Sequence, residues 1–264
     1  MVTHAIYEIE VWGTVLFIEV ASTTIDKAAM DAAIGDVKEF VAGVDCDFST
    51  YKSDSYVSRL RRGEIQIGEC PAHVQEVWDA CQNAKYLSNG AFDPWAVDGG
   101  FDPSGYVKGW AADGVADILH RAGCAHIQVN AAGDVTLRGG NLTQEGVVEP
   151  WRIGVVNPDN RQEVVRVFEI FDGSIATSGT YERGAHITDP FTGVIAIGAQ
   201  SATVIGPDGG LTDAMATALM VTGDHGAQLF GQPELAPYSA WCIDRHEGTA
   251  WGVGPVFAAE IAAQ

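Results

Sequence analysis

Short β-branched segments and helical stripes follow one another along this chain without the strict strand–helix alternation that a parallel sheet requires. That order predicts an α+β fold with a largely antiparallel sheet. Residues 4–22 are β-branched and interrupted at Gly13, which predicts two paired strands or one bulged strand. Residues 25–44 carry Ala29, Ala33, Val37, Phe40, Val41 and Val44 at helical spacing, with Thr24 or Asp26 placed to open the helix. A polar loop and a short strand are expected over 45–68. Pro71 then opens a second helix, with Gly90 where it should stop. Residues 91–105 read as a loop and 106–122 as a third helix ending at Gly123. Strands follow at 125–130, 133–138, 151–156 and 164–171, then a loop through 173–193 and strands across 194–205. Residues 211–222 read as a compact small-residue helix and 238–257 as two or three strands. No repeat or linker divides the chain, so residues 1–264 are expected to form a single domain.

Composition narrows the function. The 264 residues include 31 glycines and carry a net charge of −20. Nucleic-acid binding needs a basic face that releases counterions. The densest basic run here is Arg59-Leu60-Arg61-Arg62, so no nucleic-acid partner is expected. A phosphate-bearing ligand would need local help from a metal, a helix N-terminus or a lysine. The five cysteines lack CxxC spacing, which fits free thiols in a reducing compartment. No apolar run reaches the length of a membrane span and the N-terminus has no signal-peptide pattern, so a cytoplasmic location is expected.

Three constellations suggest chemistry. Asp213 and Thr217, four residues apart, share one face of their helix. Such a pair suits Mg²⁺, which takes few protein ligands; it suits equally a capping Asp and a back-bonding Thr. The loop Phe101-Asp-Pro-Ser-Gly-Tyr-Val-Lys-Gly109 precedes a helix N-terminus and carries Lys108, an arrangement for phosphate or an ordinary connection. In the third, Ala176-Thr-Ser-Gly-Thr-Tyr181 precedes His186-Ile-Thr-Asp189. His186 is either a general base or a hydrogen-bonded strand-end residue. Trp12, Trp95 and Trp110 could stack on an aromatic ligand or lie in the core.

In order, these segments resemble the FAD:protein FMN transferases, the ApbE family. The matching stretches are WGT (12–14), FSTYKSDSYVSRL (48–60), GAFDP (90–94), DPSGYVKGWAAD (102–113), VNAAGD (129–134), WRIGVVNP (151–158), IATSGTY (175–181), HITDPFTG (186–193) and TDAMATALMVTG (212–223). Trp12 stands where the family usually has Met, Arg61 where Asn is common, and Ala132 where a second Gly is usual. The resemblance implies a T-fold-like domain with FAD bound as substrate between its lobes. It implies FAD contacts from Trp12, Tyr51, Ala91, Phe92, Asp93, Asp102, Lys108 and Ile187. Mg²⁺ would be held by the Gly105 carbonyl, Asp213 and Thr217, and His186 would activate the acceptor hydroxyl. The activity implied is transfer of FMN from FAD to a Thr or Ser of an acceptor protein, releasing AMP. Hydrolysis of FAD to FMN and AMP, or FAD binding without catalysis, are the alternatives.

Overall fold

The computed structural model describes residues 2–179, 187–245 and 248–262, with side chains as far as residue 259. The first segment folds as two strands: β1 (Thr3–Val11) pairs antiparallel with β2 (Thr14–Ser22). The turn between them, Trp12-Gly13, has positive φ at both residues, 56° and 71°. Two positive φ values match the twist of the flanking strands. Glycine adopts them freely, whereas an aromatic residue is strained there.

Helix α1 (Lys27–Phe48) is capped by Asp26, whose side chain accepts from Ala29 N at 3.0 Å. Met30, Ala33, Ile34, Val37, Val41, Val44 and Phe48 are its buried stripe, so the helix runs one turn past the expected end. The strand expected within 45–68 does not form. The Ser55 side chain caps Ser58 N instead and opens α2 (Tyr56–Arg61), followed by a 3₁₀ turn at Ile67–Glu69. Helix α3 (Ala72–Leu87) begins after Pro71, and α4 (Ser104–Arg121) stops before Gly123.

Eight strands form one antiparallel sheet among the described residues. Its order is β1, β2, β3 (His126–Ala131), β4 (Asp134–Arg138), β9, β10, β11 and β12. Between β4 and β9 the chain makes two small excursions. β5 (Asn141–Leu142) pairs with β6 (Val148–Glu149), and β7 (Trp151–Asn157) with β8 (Asn160–Ile170). β9 (Gly173–Gly179) corrects the expected loop over 173–193: it is central, paired with both β4 and β10 (Ala199–Gly206). Its Ser and Thr residues look loop-like, yet their hydroxyls find partners on the neighbouring strand and on the helices packed against the sheet. Thr177 meets Thr203 at 2.9 Å, and Ser174 donates to Asp113 at 3.1 Å. Residues 194–198 do not extend β10; the preceding turn has one bridge, Thr188 to Ile195. Helix α5 (Gly209–Thr222) follows, then β11 (Ser239–Asp244), β12 (Ala250–Val253) and an unexpected α6 (Pro255–Ala262).

Helices α1, α4 and α5 cover one face of this sheet, where Leu16, Ile18, Ile127 and Val129 meet Val115 and Leu119, and Ala202 and Val204 meet Met215 and Leu219. The β7–β8 ribbon covers part of the other face, packing Trp151, Val155 and Phe168 on Val135, Leu137, Ile175 and Ile205.

Candidate active site

The crossing of α4 and α5 builds the site. A Cβ on Gly109 would lie 2.0 Å from the Gly209 carbonyl oxygen, and one on Gly209 would lie 2.5 Å from the Gly109 oxygen. The backbones therefore touch, and only glycine permits that approach. Asp113, one turn further along α4, accepts from Gly209 N at 2.7 Å and ties down the start of α5. Asp208 caps α5 by accepting from Leu211 N at 2.7 Å.

This contact places Lys108 of α4 against Asp213 of α5. Lys108 Nζ lies 2.8 Å from Asp213 Oδ2 and 2.5 Å from Asp134 Oδ2, at the start of β4. Both carboxylates are buried. Burial disfavours the Lys108 charge, but the two carboxylates outweigh it and hold the ammonium above its ordinary range. Burial, and then the Asp213 charge, push the Asp134 carboxyl up. Thr217, one turn beyond Asp213, brings its hydroxyl within 3.5 Å of Ser178 Oγ on β9. Gly105 faces it: a Cβ there would meet Thr217 Oγ1 at 3.3 Å and the Phe92 ring at 3.2 Å. Gly105 also leaves helical geometry, with φ −85° and ψ 18°, in the first turn of α4.

These groups form the floor of a cavity of about 540 Å³. Ala91, Phe92, Asp93 and Asp102 make one wall, with Pro94 and Val97 from the same loop. Ile187, Thr188 and Pro190 make the opposite wall, and Tyr51, 97% exposed, stands at the mouth. Ten of the twelve residues selected from sequence thus share one cavity. Trp12 is not in its wall; it packs between the clusters under α1 and α3, and its buried indole Nε1 has no partner among the described residues. His186 lies outside the described residues.

Among the described residues the wall carries four carboxylates, Asp93, Asp102, Asp134 and Asp213, against one lining cation, Lys108. Two cations behind the wall help: Lys85 lies 2.7 Å from Asp93, and Arg61 lies 4.0 Å from Asp102. The excess negative charge is therefore concentrated at Asp134 and Asp213.

The sequence profile of the ApbE family matches residues 96–237, just over half of the chain. The chain belongs to the ApbE family. A FAD:protein FMN transferase of Vibrio cholerae is 35% identical over 146 residues, which are 52% of this chain and 42% of that protein. One from Klebsiella pneumoniae is 34% identical over 167 residues, 59% of this chain and 46% of that protein. These matches span less than half the length of the curated relatives. The fold extends the likeness to the whole chain. The flavin transferase ApbE of Vibrio cholerae superposes with TM-score 0.82 at 22% identity, covering 98% of this chain and 99% of that one. The ApbE protein of Thermotoga maritima also gives TM-score 0.82 at 22% identity, covering 97% and 98%.

For an ApbE chain the implied ion is Mg²⁺, and the donors suit it. Asp213, Thr217 and the Gly105 carbonyl offer only hard oxygen, and the space above Gly105 is kept open by the missing Cβ. Among the described residues no group of three or more His, Cys, Asp or Glu could hold a metal ion, so an ion here would rest on one carboxylate with hydroxyl and carbonyl oxygen. Sequence reasoning passed over Asp134, Asp113 and Ser178 as individual residues. Asp134 follows a Gly and reads as a turn residue; its one usable signal is a carboxylate directly before the buried run Val135-Thr136-Leu137.

Proposed function

We propose that this chain is a single catalytic domain that uses Mg²⁺ to transfer the FMN half of FAD to a Ser or Thr hydroxyl of an acceptor protein, releasing AMP. The observation that carries this reading is the convergence of ten residues, selected for FAD and Mg²⁺ from separate motifs, on one cavity. The relatives' shared activity supports the same reading. Asp213, Thr217 and the Gly105 carbonyl would hold Mg²⁺, which when bound would supply charge neutralisation of the pyrophosphate. Lys108 adds a fixed positive charge beside it, held in place by Asp134. Phe92 and Ala91 give an apolar wall for the ring systems, and the exposed Tyr51 is free to stack on one of them. His186 takes the proton from the acceptor hydroxyl; that oxygen bonds to the FMN phosphorus as the bond to AMP breaks.

The test combines the protein with FAD and Mg²⁺, with and without a Ser/Thr-bearing acceptor segment. AMP release and in-gel fluorescence of the denatured acceptor are followed. Both signals should appear together and vanish on chelation. AMP without fluorescent acceptor would shift the reading to FAD hydrolysis. Asp213→Ala should abolish turnover with Mg²⁺, and near-normal labelling by that variant would remove Asp213 from the metal site.

A further inference from the structure

The loop from Asp93 to Asp102 walls the cavity; its Trp95 and Phe101 pack with Trp78, Ala96 N donates to Asp93 O at 3.1 Å and Trp95 N to Asp93 Oδ1 at 3.0 Å. Gly100 N donates to Val97 O at 3.0 Å and Asp102 N to Pro94 O at 2.8 Å. A further anchor comes from the last residue of α2. Arg61 Nη2 donates to Asp98 O at 2.5 Å and Nε to Gly99 O at 3.1 Å, while Nη1 lies 4.0 Å from Asp102 Oδ2. One planar guanidinium thus spans two consecutive carbonyls and faces a cavity-lining carboxylate. A compact ammonium has no such fork. The loop is matched to it: a Cβ on Gly99 would lie 2.5 Å from Arg61 Nη2. The Arg61 side chain is 21% exposed, so its charge is shielded from bulk water without being fully desolvated.

We propose that Arg61 is a positioning residue that clamps the Asp98–Asp102 loop and thereby sets the affinity of the cavity for its nucleotide substrate. This rests on the FAD reading of the cavity. Arg61 does not line the cavity and touches no reacting atom. It orders a wall before ligand arrives, which removes an ordering cost from binding. It also offsets Asp102, whose charge would otherwise oppose a pyrophosphate.

The experiment compares the full chain with Arg61→Ala, Arg61→Gln and Arg61→Lys. Hydrogen exchange of the Gly100 and Asp102 amides is measured without ligand, FAD affinity by flavin fluorescence quenching, and KM and kcat by AMP release. In Arg61→Ala those two amides should exchange about tenfold faster, and Kd and KM for FAD should rise about tenfold, as loss of charge-assisted bonds implies. The α1 amides should be unaffected and kcat should stay within about twofold. Arg61→Lys, which keeps the charge without the fork, should fall between. Unchanged loop exchange would overturn the proposal, and so would a fall in kcat at constant Kd. If Arg61→Ala also loosens α1, Arg61→Gln, which keeps a shorter stem and one donor group, decides by the same readings. Should the wild type bind no FAD, the transferase reading fails and loop exchange alone decides the clamp.

Discussion

Gly109→Ala tests the contact on which the site depends. The added Cβ would sit 2.0 Å from the Gly209 oxygen and 2.4 Å from its carbonyl carbon, and real Cβ atoms essentially never come within 3.0 Å of such a neighbour. The obstacle is backbone on both sides, so no side chain can swing away. The helices must part by at least about 1 Å, the difference between those two distances. Overpacking of this kind costs about 1–3 kcal/mol, and a backbone obstacle puts it at the upper end. At about 2–4 °C per kcal/mol for a chain near this size, Tm should fall by about 6–12 °C. The same separation pulls Lys108 and Gly105 away from Asp213 and Thr217. A misplacement of about 1 Å can cost about a hundredfold in turnover, so AMP release should drop by that order even where the protein stays folded. Gly35→Ala is the control. Gly35 is an exposed residue inside α1 with nothing near its Cβ position, and replacing such a glycine should stabilise by about 0.5–1 kcal/mol. Thermal unfolding by circular dichroism reads both variants. If Gly109→Ala were as stable as Gly35→Ala, the helices would not touch there and the account of the site would fail.

Three other outcomes are expected. Lys108→Met leaves Asp134 and Asp213 together without a counter-charge; breaking a buried pair costs about 3–5 kcal/mol, and Asp134→Asn added to it should recover part of the loss in the same unfolding assay. Asp208→Ala should cost about 1 kcal/mol by removing the α5 cap, seen as a lower denaturation midpoint. Asp208→Asn should keep the cap and show a sign that depends on pH. Although its side chain reaches solvent, partial desolvation at the start of α5 holds the Asp208 carboxyl above its ordinary 3.8, so its stabilising contribution is present when protonated and is lost as pH rises through the folded value. The Asn variant should therefore match or exceed wild type near neutral pH and lose that advantage as pH falls towards 3.8.

Elements with a wide apolar stripe and a local stop were legible in the sequence. α3, α4 and α5 each stop close to a glycine, whereas α1 has the stripe without a stop and runs one turn past its expected end. α2 was not legible because six residues cannot nucleate a helix alone. It forms through the Ser55 cap and through Val57 packing beneath it. β9 was missed because Gly-Ser-Ile-Ala-Thr-Ser-Gly has the composition of a loop. Its strand character comes from partners on both sides, which are set by tertiary pairing and not by propensity. The site divides along the same line. Asp213 and Thr217 share a helix face, so spacing alone related them. Lys108 and Asp213 are 105 residues apart, and nothing local says that their helices cross at two glycines.

The electrostatics of the wall link the fold to the proposed reaction. A chain of net charge −20 is a poor host for a pyrophosphate unless its field is cancelled where the ligand sits. Lys85 on Asp93 and Arg61 near Asp102 neutralise the outer wall from behind, leaving those carboxylates able to accept hydrogen bonds. Among the described residues Lys108 alone faces both Asp134 and Asp213, so with both carboxylates ionised the floor carries one more negative than positive charge. A hard divalent cation placed there turns that excess into a net positive charge, on the helix face where Asp213 and Thr217 offer oxygen. The surplus carboxylate that would repel the substrate in the absence of metal is the same feature that would attract a divalent ion, and the Gly109–Gly209 contact brings both carboxylates within reach of one lysine.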